Sequence, residues 1–435
     1  MAQPMTTPRK SPIKHLHATD IRSVAQLATQ ATLGVARITE GVHQSIWKTL
    51  GAPGGKTPTQ TRGITGLVYK SVRGITQLVG NSLDAVLGKL EPLFDAANNA
   101  KPGTPEREAV LAALNGVMGD RLADSSNPLA TTMSLRHRGA PLNKGLKWQP
   151  LPPDLKTTGK VLLLIHGLCM NDLQWQTPTQ TQPQTEAEAP AGAPHDHGAA
   201  LARELGYTPL YLRYNTGLHT SQNGHELSRL LELLVNHWPV PIEDLTIVAH
   251  SMGGLVTRSA VHSARYPSGK TAPLWPTYLK NIVFLGTPHH GAPLERAGNW
   301  VDVLLGATPY SKPFARLAQL RSAGITDLRY GHVVDADWQG QDRFRRQPDA
   351  RQPVPLPEGV ACFTIAATTA AKRSTLADRL IGDGLVPLRS ALGQHDNPLR
   401  TLIFAKSSQW IACRTSHMAL LGSPEVSAQL VKWLA

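Results

Sequence analysis

Leu245-Thr246-Ile247-Val248-Ala249-His250-Ser251-Met252-Gly253-Gly254 runs from an apolar, β-branched stretch into a pair of glycines through a His-Ser step. Residues 245–249 read as a buried strand, and residues from Met252 to about 263 carry helical spacing. A serine between such a strand and such a helix sits on a sharp, strained turn that lifts its hydroxyl above the sheet. Residues two before and two after it must be small, because strand and helix nearly touch there. Gly253 meets that need with no side chain, and Ala249 meets it with one methyl more than the commoner glycine. Ser251 is therefore the candidate nucleophile.

Outward from this turn the chain alternates strand and helix, the mark of an α/β sheet. Val161-Leu162-Leu163-Leu164-Ile165 is a continuous apolar run, as a strand buried on both faces requires. Residues 197–206 read as helix, 209–214 as strand and 225–237 as helix. Three more strands are expected at 281–285, 361–365 and 400–404, with a final helix after His417. The Gln/Thr/Pro/Glu/Ala tract at 176–195 reads as a disordered insertion. Residues 289–358 form a long interruption with few strand signals.

A serine of this kind needs a base, an acid to orient the base, and donors for the developing oxyanion. The strand at 161–165 ends in His166-Gly167-Leu168. The loop after such a strand presents one backbone N–H, and the residue following the serine presents the other. Leu168 and Met252 are the expected oxyanion donors. Acid and histidine should follow later in the chain, in that order. Ile381-Gly382-Asp383-Gly384 sets a carboxylate in a glycine turn after the strand at 361–365, and Ser416-His417 lies in a loop before the last helix. Asp383 is the expected acid and His417 the expected base, with Asp335, Asp378 and Asp396 as competing acids. His166 and His250 read as structural neighbours, since neither follows the last strand.

These segments, together with Phe284-Leu285-Gly286-Thr287-Pro288-His289-His290-Gly291 and Gly382-Asp383-Gly384-Leu385-Val386-Pro387, give the chain its likeness. It resembles the α/β-hydrolase superfamily, and within it the lipase-like and GPI inositol-deacylase-like serine hydrolases, over roughly residues 158–435. The resemblance implies a mostly parallel sheet flanked by helices, with residues 289–358 as a cap. It is specific for the fold and the Ser-Asp-His order, not for the substrate. Ala249, the 176–195 insertion and the N-terminal region depart from it.

The 435 residues are 41 % hydrophobic and 17 % charged, enough apolar content for a sizeable core. Gly (37) and Pro (34) stay well below the share of a low-complexity chain. No apolar run approaches the roughly 20 residues of a membrane-spanning helix, and the first twenty residues carry no apolar signal core. Three scattered cysteines argue against a disulfide framework. A soluble, cytoplasmic protein is expected, with peripheral membrane association as the variant.

The formal charge of +13 suggests an anionic surface as partner. The first hundred residues hold eleven Lys and Arg against five Asp and Glu. Residues 1–19 read as disordered and 20–130 as a helical region, ahead of a catalytic domain at 150–435. Ile64, Leu67, Val72, Ile75, Leu83 and Leu90 form one apolar stripe, with Lys70, Arg73 and Lys89 off it. The stripe packs on a neighbouring helix or attaches the chain to a lipid membrane or granule surface.

No nucleic-acid module is recognisable. The glycines before Lys56-Thr57 imitate a phosphate loop, but Leu50 stands where its first glycine belongs. His289, His290 and the trio His195-Asp196-His197 match no zinc spacing. No metal and no cofactor is expected.

The function expected is hydrolysis of a lipid-like or apolar acyl ester, with Trp300, Val301, Val303, Leu304 and Leu305 as candidate lining for the acyl chain. Acyl transfer or intracellular polyester depolymerisation is the chemical alternative. A catalytically silent hydrolase-fold scaffold is the alternative of another class.

Overall fold

The apolar run at 161–165 is fully buried and lies at the centre of an eight-stranded sheet. The structure is a computed structural model describing residues 105–176, 195–267, 271–292, 321–343, 348–371 and 382–435. In chain order its elements are α1 (Pro105–Asp124), β1 (Ser134–His137), β2 (Ala140–Pro141), β3 (Asn143–Lys144), β4 (Lys147–Trp148), β5 (Lys160–Ile165), α2 (His197–Leu205), β6 (Thr208–Arg213), α3 (Thr220–His237), β7 (Asp244–His250), α4 (Met252–Arg265), α5 (Trp275–Tyr278), β8 (Leu279–Leu285), α6 (Ala323–Asp327), β9 (Ala361–Ala367), α7 (Leu388–Ala391), β10 (Gln409–Ala412) and α8 (Pro424–Leu434).

The strand order is β10-β9-β8-β7-β5-β6-β1-β2. Strands β6 to β10 with β5 are parallel, and β1 and β2 add an antiparallel margin. Strand β5 has β6 on one side and β7 on the other, so the chain reverses its direction of travel across the sheet there. Such a switch opens a crevice at the carboxyl ends of the strands. The register brings those ends level: Ile165 pairs with Ala249, His250 with Leu285, and Leu285 with Ile365.

Local chemistry fixes the flanking helices. Asp196 caps α2 by accepting from Gly198 N and Ala199 N, and Gly206 ends it at φ 74°. Ser423 caps α8, with Pro424 in its first turn. Helices α3 and α4 approach so closely that a Cβ on Gly224 would lie 2.2 Å from Ser259 Oγ.

Two features depart from the sequence reading. The expected strand at 400–404 is absent. Residues 398–400 form a 3-10 turn, and β10 lies later, at Gln409–Ala412. Leu402 and Phe404 are buried while Ile403 is 89 % exposed. That alternation is what a strand shows. Here it reflects an extended segment packed on Gly393, where Leu402 N donates to the Gly393 carbonyl.

The compact unit also reaches further towards the N-terminus than residue 150. It comprises Glu108–Ser126 and Ala130–Ala435. Helix α1 buries Leu114, Val117, Met118 and Leu122 within it. Glu108 pairs with Arg213 of β6, which also pairs with Asp172 in the turn after β5. The other unit, Met1–Arg107 with Asn127–Leu129, lies almost wholly outside the described residues. The expected helical stripes at 20–90, the 176–195 tract apart from its ends, and Trp300 to Leu305 fall outside them too. Among the described residues no helix is long and apolar enough to cross a membrane.

Leu122→Ala is expected to destabilise the unit by about 2–5 kcal/mol, the usual cost of emptying a buried leucine site. A chain beginning near residue 130 should aggregate or melt earlier, because it uncovers the surface α1 occupies. Urea unfolding of both variants checks this.

Burial also sets an acid limit. It pushes His166 and His197 down to about 4, although His166 Nδ1 donates to the Gly167 carbonyl and His197 Nε2 to the Leu420 carbonyl. With folded values below the unfolded value near 6.5, the unfolded chain takes up protons first as pH falls. Stability is full above about pH 6.5 and drops towards pH 4, by up to about 1.4 kcal/mol per pH unit for each histidine. Urea midpoints at pH 7, 6 and 5 should fall in that order.

Candidate active site

Ser251 sits between β7 and α4 at φ 54° and ψ −124°. A non-glycine residue held at positive φ costs about 1–3 kcal/mol, so the surroundings must enforce it. Ser251 N donates to the Leu285 carbonyl at 2.8 Å, and Gly254 N donates to the Ser251 carbonyl at 3.0 Å. A Cβ on Gly253 would lie 2.7 Å from the carbonyl oxygens of Ile165 and His166. One on Gly254 would lie 2.1 Å from Thr287 Oγ1. Both glycines are steric requirements of the turn. Ala249 is fully buried inside β7, where its extra methyl is accommodated.

Asp383 occupies a turn whose neighbours Gly382 and Gly384 have φ of 49° and 95°, values that favour glycine. Its Oδ1 accepts from Leu385 N at 2.9 Å and Val386 N at 2.7 Å. Its Oδ2 lies 2.7 Å from His417 Nδ1, and both side chains are about 1–2 % exposed. His417 N donates to the Asp383 carbonyl at 3.0 Å. The carboxylate accepts, so the proton of this bond sits on His417 Nδ1.

Gly286 joins this pair to the serine turn, a role that sequence reasoning misses. Its φ is 56°, and a Cβ there would lie 3.1 Å from His417 Nδ1 and 3.2 Å from Asp383 Oδ2. The preceding residue, Leu285, accepts the Ser251 N–H. A glycine directly after a buried strand is the signal that could have revealed it.

The competing acids stand elsewhere. Asp335 lies 3.1 Å from His225 Nε2, and the 88 % exposed Asp396 pairs with Arg389. Asp378 is outside the described residues.

His250 is fully buried, its ring 4.6 Å from that of His417. Its Nε2 donates to the His417 carbonyl at 3.1 Å. Burial, reinforced by His417, holds it well below the ordinary histidine range, so it stays neutral. His166 stacks on Tyr214 at 4.5 Å. Both histidines line the site, and neither bonds Asp383.

Leu168 lies in the loop after β5, and a Cβ on the adjoining Gly167 would come 2.9 Å from Ser251 Cβ. Met252 opens α4, so its N–H belongs to the first turn, where donors have no intrahelical acceptor. His289 packs edge-on to Phe284, and His290 lies 3.2 Å from Arg351 Nη2. His195 and His197 bond each other at 3.0 Å. Among the described residues no group of three or more His, Cys, Asp or Glu is placed to hold a metal ion.

Comparison with known proteins gives one family match: a family model for the PGAP1-like alpha/beta domain covers residues 156–368. That span includes Leu168 and Ser251 and ends before Asp383 and His417. No curated protein matches the chain. Among solved structures, the mature Bacillus licheniformis lipase BlEst2 is similar at 17 % identity over 65 % of this chain and 95 % of that one, with a TM-score of 0.38. Aspergillus fumigatus lipase B is similar at 12 % identity over 65 % and 54 %, TM-score 0.35. Staphylococcus hyicus lipase gives 12 % over 66 % and 96 %, TM-score 0.33. Sheet order, strained serine turn and family match agree on an α/β-hydrolase fold, and residues 156–368 match the PGAP1-like alpha/beta domain.

Proposed function

We propose that the chain hydrolyses carboxylic esters through Ser251, His417 and Asp383. The observation that carries the reading is the buried Asp383–His417 pair at 2.7 Å, set against Gly286 beside the strained Ser251 turn. Asp383 holds the imidazole with its proton on Nδ1. Nε2 takes the Ser251 proton as the hydroxyl oxygen attacks the ester carbonyl. The tetrahedral oxyanion is met by the N–H groups of Leu168 and Met252. Collapse expels the alcohol, which receives the proton from His417, and leaves an acyl-enzyme. Water activated by His417 then releases the acid and regenerates Ser251.

An apolar acyl group is supported by the residues around the serine. Leu168, Met170 and Met252 are all buried there and offer no charge. The surplus of basic residues in the first hundred positions supports presentation of the enzyme to an anionic lipid or granule surface.

Ser251→Ala should lower esterase turnover by a factor of about 10⁴–10⁶ and leave the circular dichroism spectrum unchanged. A fluorophosphonate probe should label the wild type and not this variant. An unlabelled but folded wild type would favour a non-catalytic scaffold. Product analysis with an added alcohol acceptor separates hydrolysis from acyl transfer.

Asp383→Asn should lower kcat by about 10⁴, because an amide NH₂ facing Nδ1 drives the proton to Nε2. Its urea midpoint should shift little, since the backbone bonds to Oδ1 survive. Asp335→Asn and Asp396→Asn should keep wild-type kcat. A reversal of these results would relocate the acid.

A further inference from the structure

The loop carrying Leu168 is held at three consecutive peptide groups, the outer two by residues that follow β6 and the middle one by His166 of the loop itself. The carbonyl of the 166–167 peptide, His166 O, accepts the Tyr214 hydroxyl at 2.9 Å. The carbonyl of the 167–168 peptide, Gly167 O, accepts His166 Nδ1 at 2.9 Å. The His166 ring that makes this bond is stacked on the Tyr214 ring at 4.5 Å and 21°. The N–H of the 168–169 peptide, Cys169 N, donates to Thr216 Oγ1 at 3.2 Å. Tyr214 and Thr216 are thus alternate residues of one segment, gripping the loop on either side of Leu168.

The middle peptide of the three bears the Leu168 N–H. In a trans peptide the N–H points opposite to the C=O. Fixing Gly167 O through His166 therefore fixes the direction of the Leu168 N–H, and the two outer bonds stop the flanking peptides from rotating. The hold works against a preference of the chain, since Cys169 sits at φ 59°, a region that side chains avoid. Helix α1 blocks retreat from behind: a Cβ on Gly116 would lie 2.2 Å from Cys169 Sγ.

The gripping segment is itself anchored at Asn215. Its Nδ2 donates to the Gly119 carbonyl, its Oδ1 accepts Gly217 N, and its carbonyl accepts Asn223 Nδ2, all at 2.9–3.0 Å. Tyr214 and Thr216 are 1–2 % exposed, so solvent offers no substitute partner.

We propose that Tyr214 and Thr216 are positioning residues that aim the Leu168 N–H at the oxyanion, the first through His166 and the second through Cys169. The inference rests on the ester-hydrolase reading above. It predicts that loosening the grip weakens transition-state binding and leaves ground-state binding alone.

The test is steady-state kinetics on a short soluble ester, using the full-length chain. Losing an oxyanion donor outright costs about 10²–10³ in kcat, and a misaimed donor should cost less. Thr216→Val removes the acceptor at nearly constant volume, and kcat should fall roughly 10- to 100-fold with KM within about threefold. Affinity for a boronic acid should fall in parallel with kcat/KM, since the boronate imitates the tetrahedral state. Thr216→Ser restores the acceptor and should return kcat to within about threefold of wild type. Tyr214→Phe, which removes one oxygen and keeps the ring stack, should lower kcat about tenfold and serves where Thr216→Val does not fold.

A Thr216→Val or Tyr214→Phe enzyme with wild-type kcat overturns the inference, and so does a Thr216→Ser enzyme as slow as Thr216→Val. These outcomes leave Ser251-dependent activity of the wild type standing. A folded wild type with no such activity overturns the ester-hydrolase reading and this inference together.

Discussion

The backbone hydrogen bond from Ser251 N–H to the Leu285 carbonyl is the joint on which the site depends. It extends the β7–β8 pairing one residue past β7 and pins a serine whose φ of 54° the chain would otherwise abandon. Leu285 is followed by Gly286, whose own N–H continues the pairing to the Ile365 carbonyl of β9. Because Gly286 has no side chain, Asp383 and His417 can close over it. The order of the parallel strands thus passes directly into the placement of Ser251, Asp383 and His417. The steric limits at Gly167, Gly253 and Gly254 follow from the same geometry, since a Cβ there would meet Ser251 Cβ, the Ile165 and His166 carbonyl oxygens, and the Thr287 side chain respectively.

Much of this is legible in sequence because it rests on patterns with short periods. Residues 161–165 are a continuous apolar run, 245–249 and 281–285 are apolar but for Thr246 and Asn281, and the strands fall there to within two residues at either end. Asp383 is visible because glycines flank it, and His417 because it precedes the last helix. The reading fails at 400–404 because alternating burial is shared by a strand and by an extended segment lying on one face of a core. It is silent about Gly286, Tyr214 and Thr216. Their importance depends on which strand end meets which loop, a long-range fact with no local signature. Helix α1 is under-read for the same reason. Gly116 and Gly119 look like helix-weakening residues until the loops after β5 and β6 are seen pressed against them.

The buried histidines show how selectively the sheet end treats one residue type. His166, His197 and His250 each donate to a carbonyl, are shielded from water, and are held low by burial. They act as neutral struts. His417 alone of this group is matched to a carboxylate. Identical side chains thereby acquire different roles from the acceptor each one faces, a carbonyl dipole for the struts and a full charge for His417.

At the far margin of the sheet, β2 consists of Ala140 and Pro141, both exposed, with Pro141 opposite Arg136 of β1. Proline has no N–H to offer a further strand. Two residues give an incoming chain almost no ladder to extend, and one of them cannot donate. Among the described residues the sheet therefore carries its own terminator on this side. Growth of fibrillar assemblies by strand addition along β2 is disfavoured by covalent chemistry, whatever the concentration of the protein.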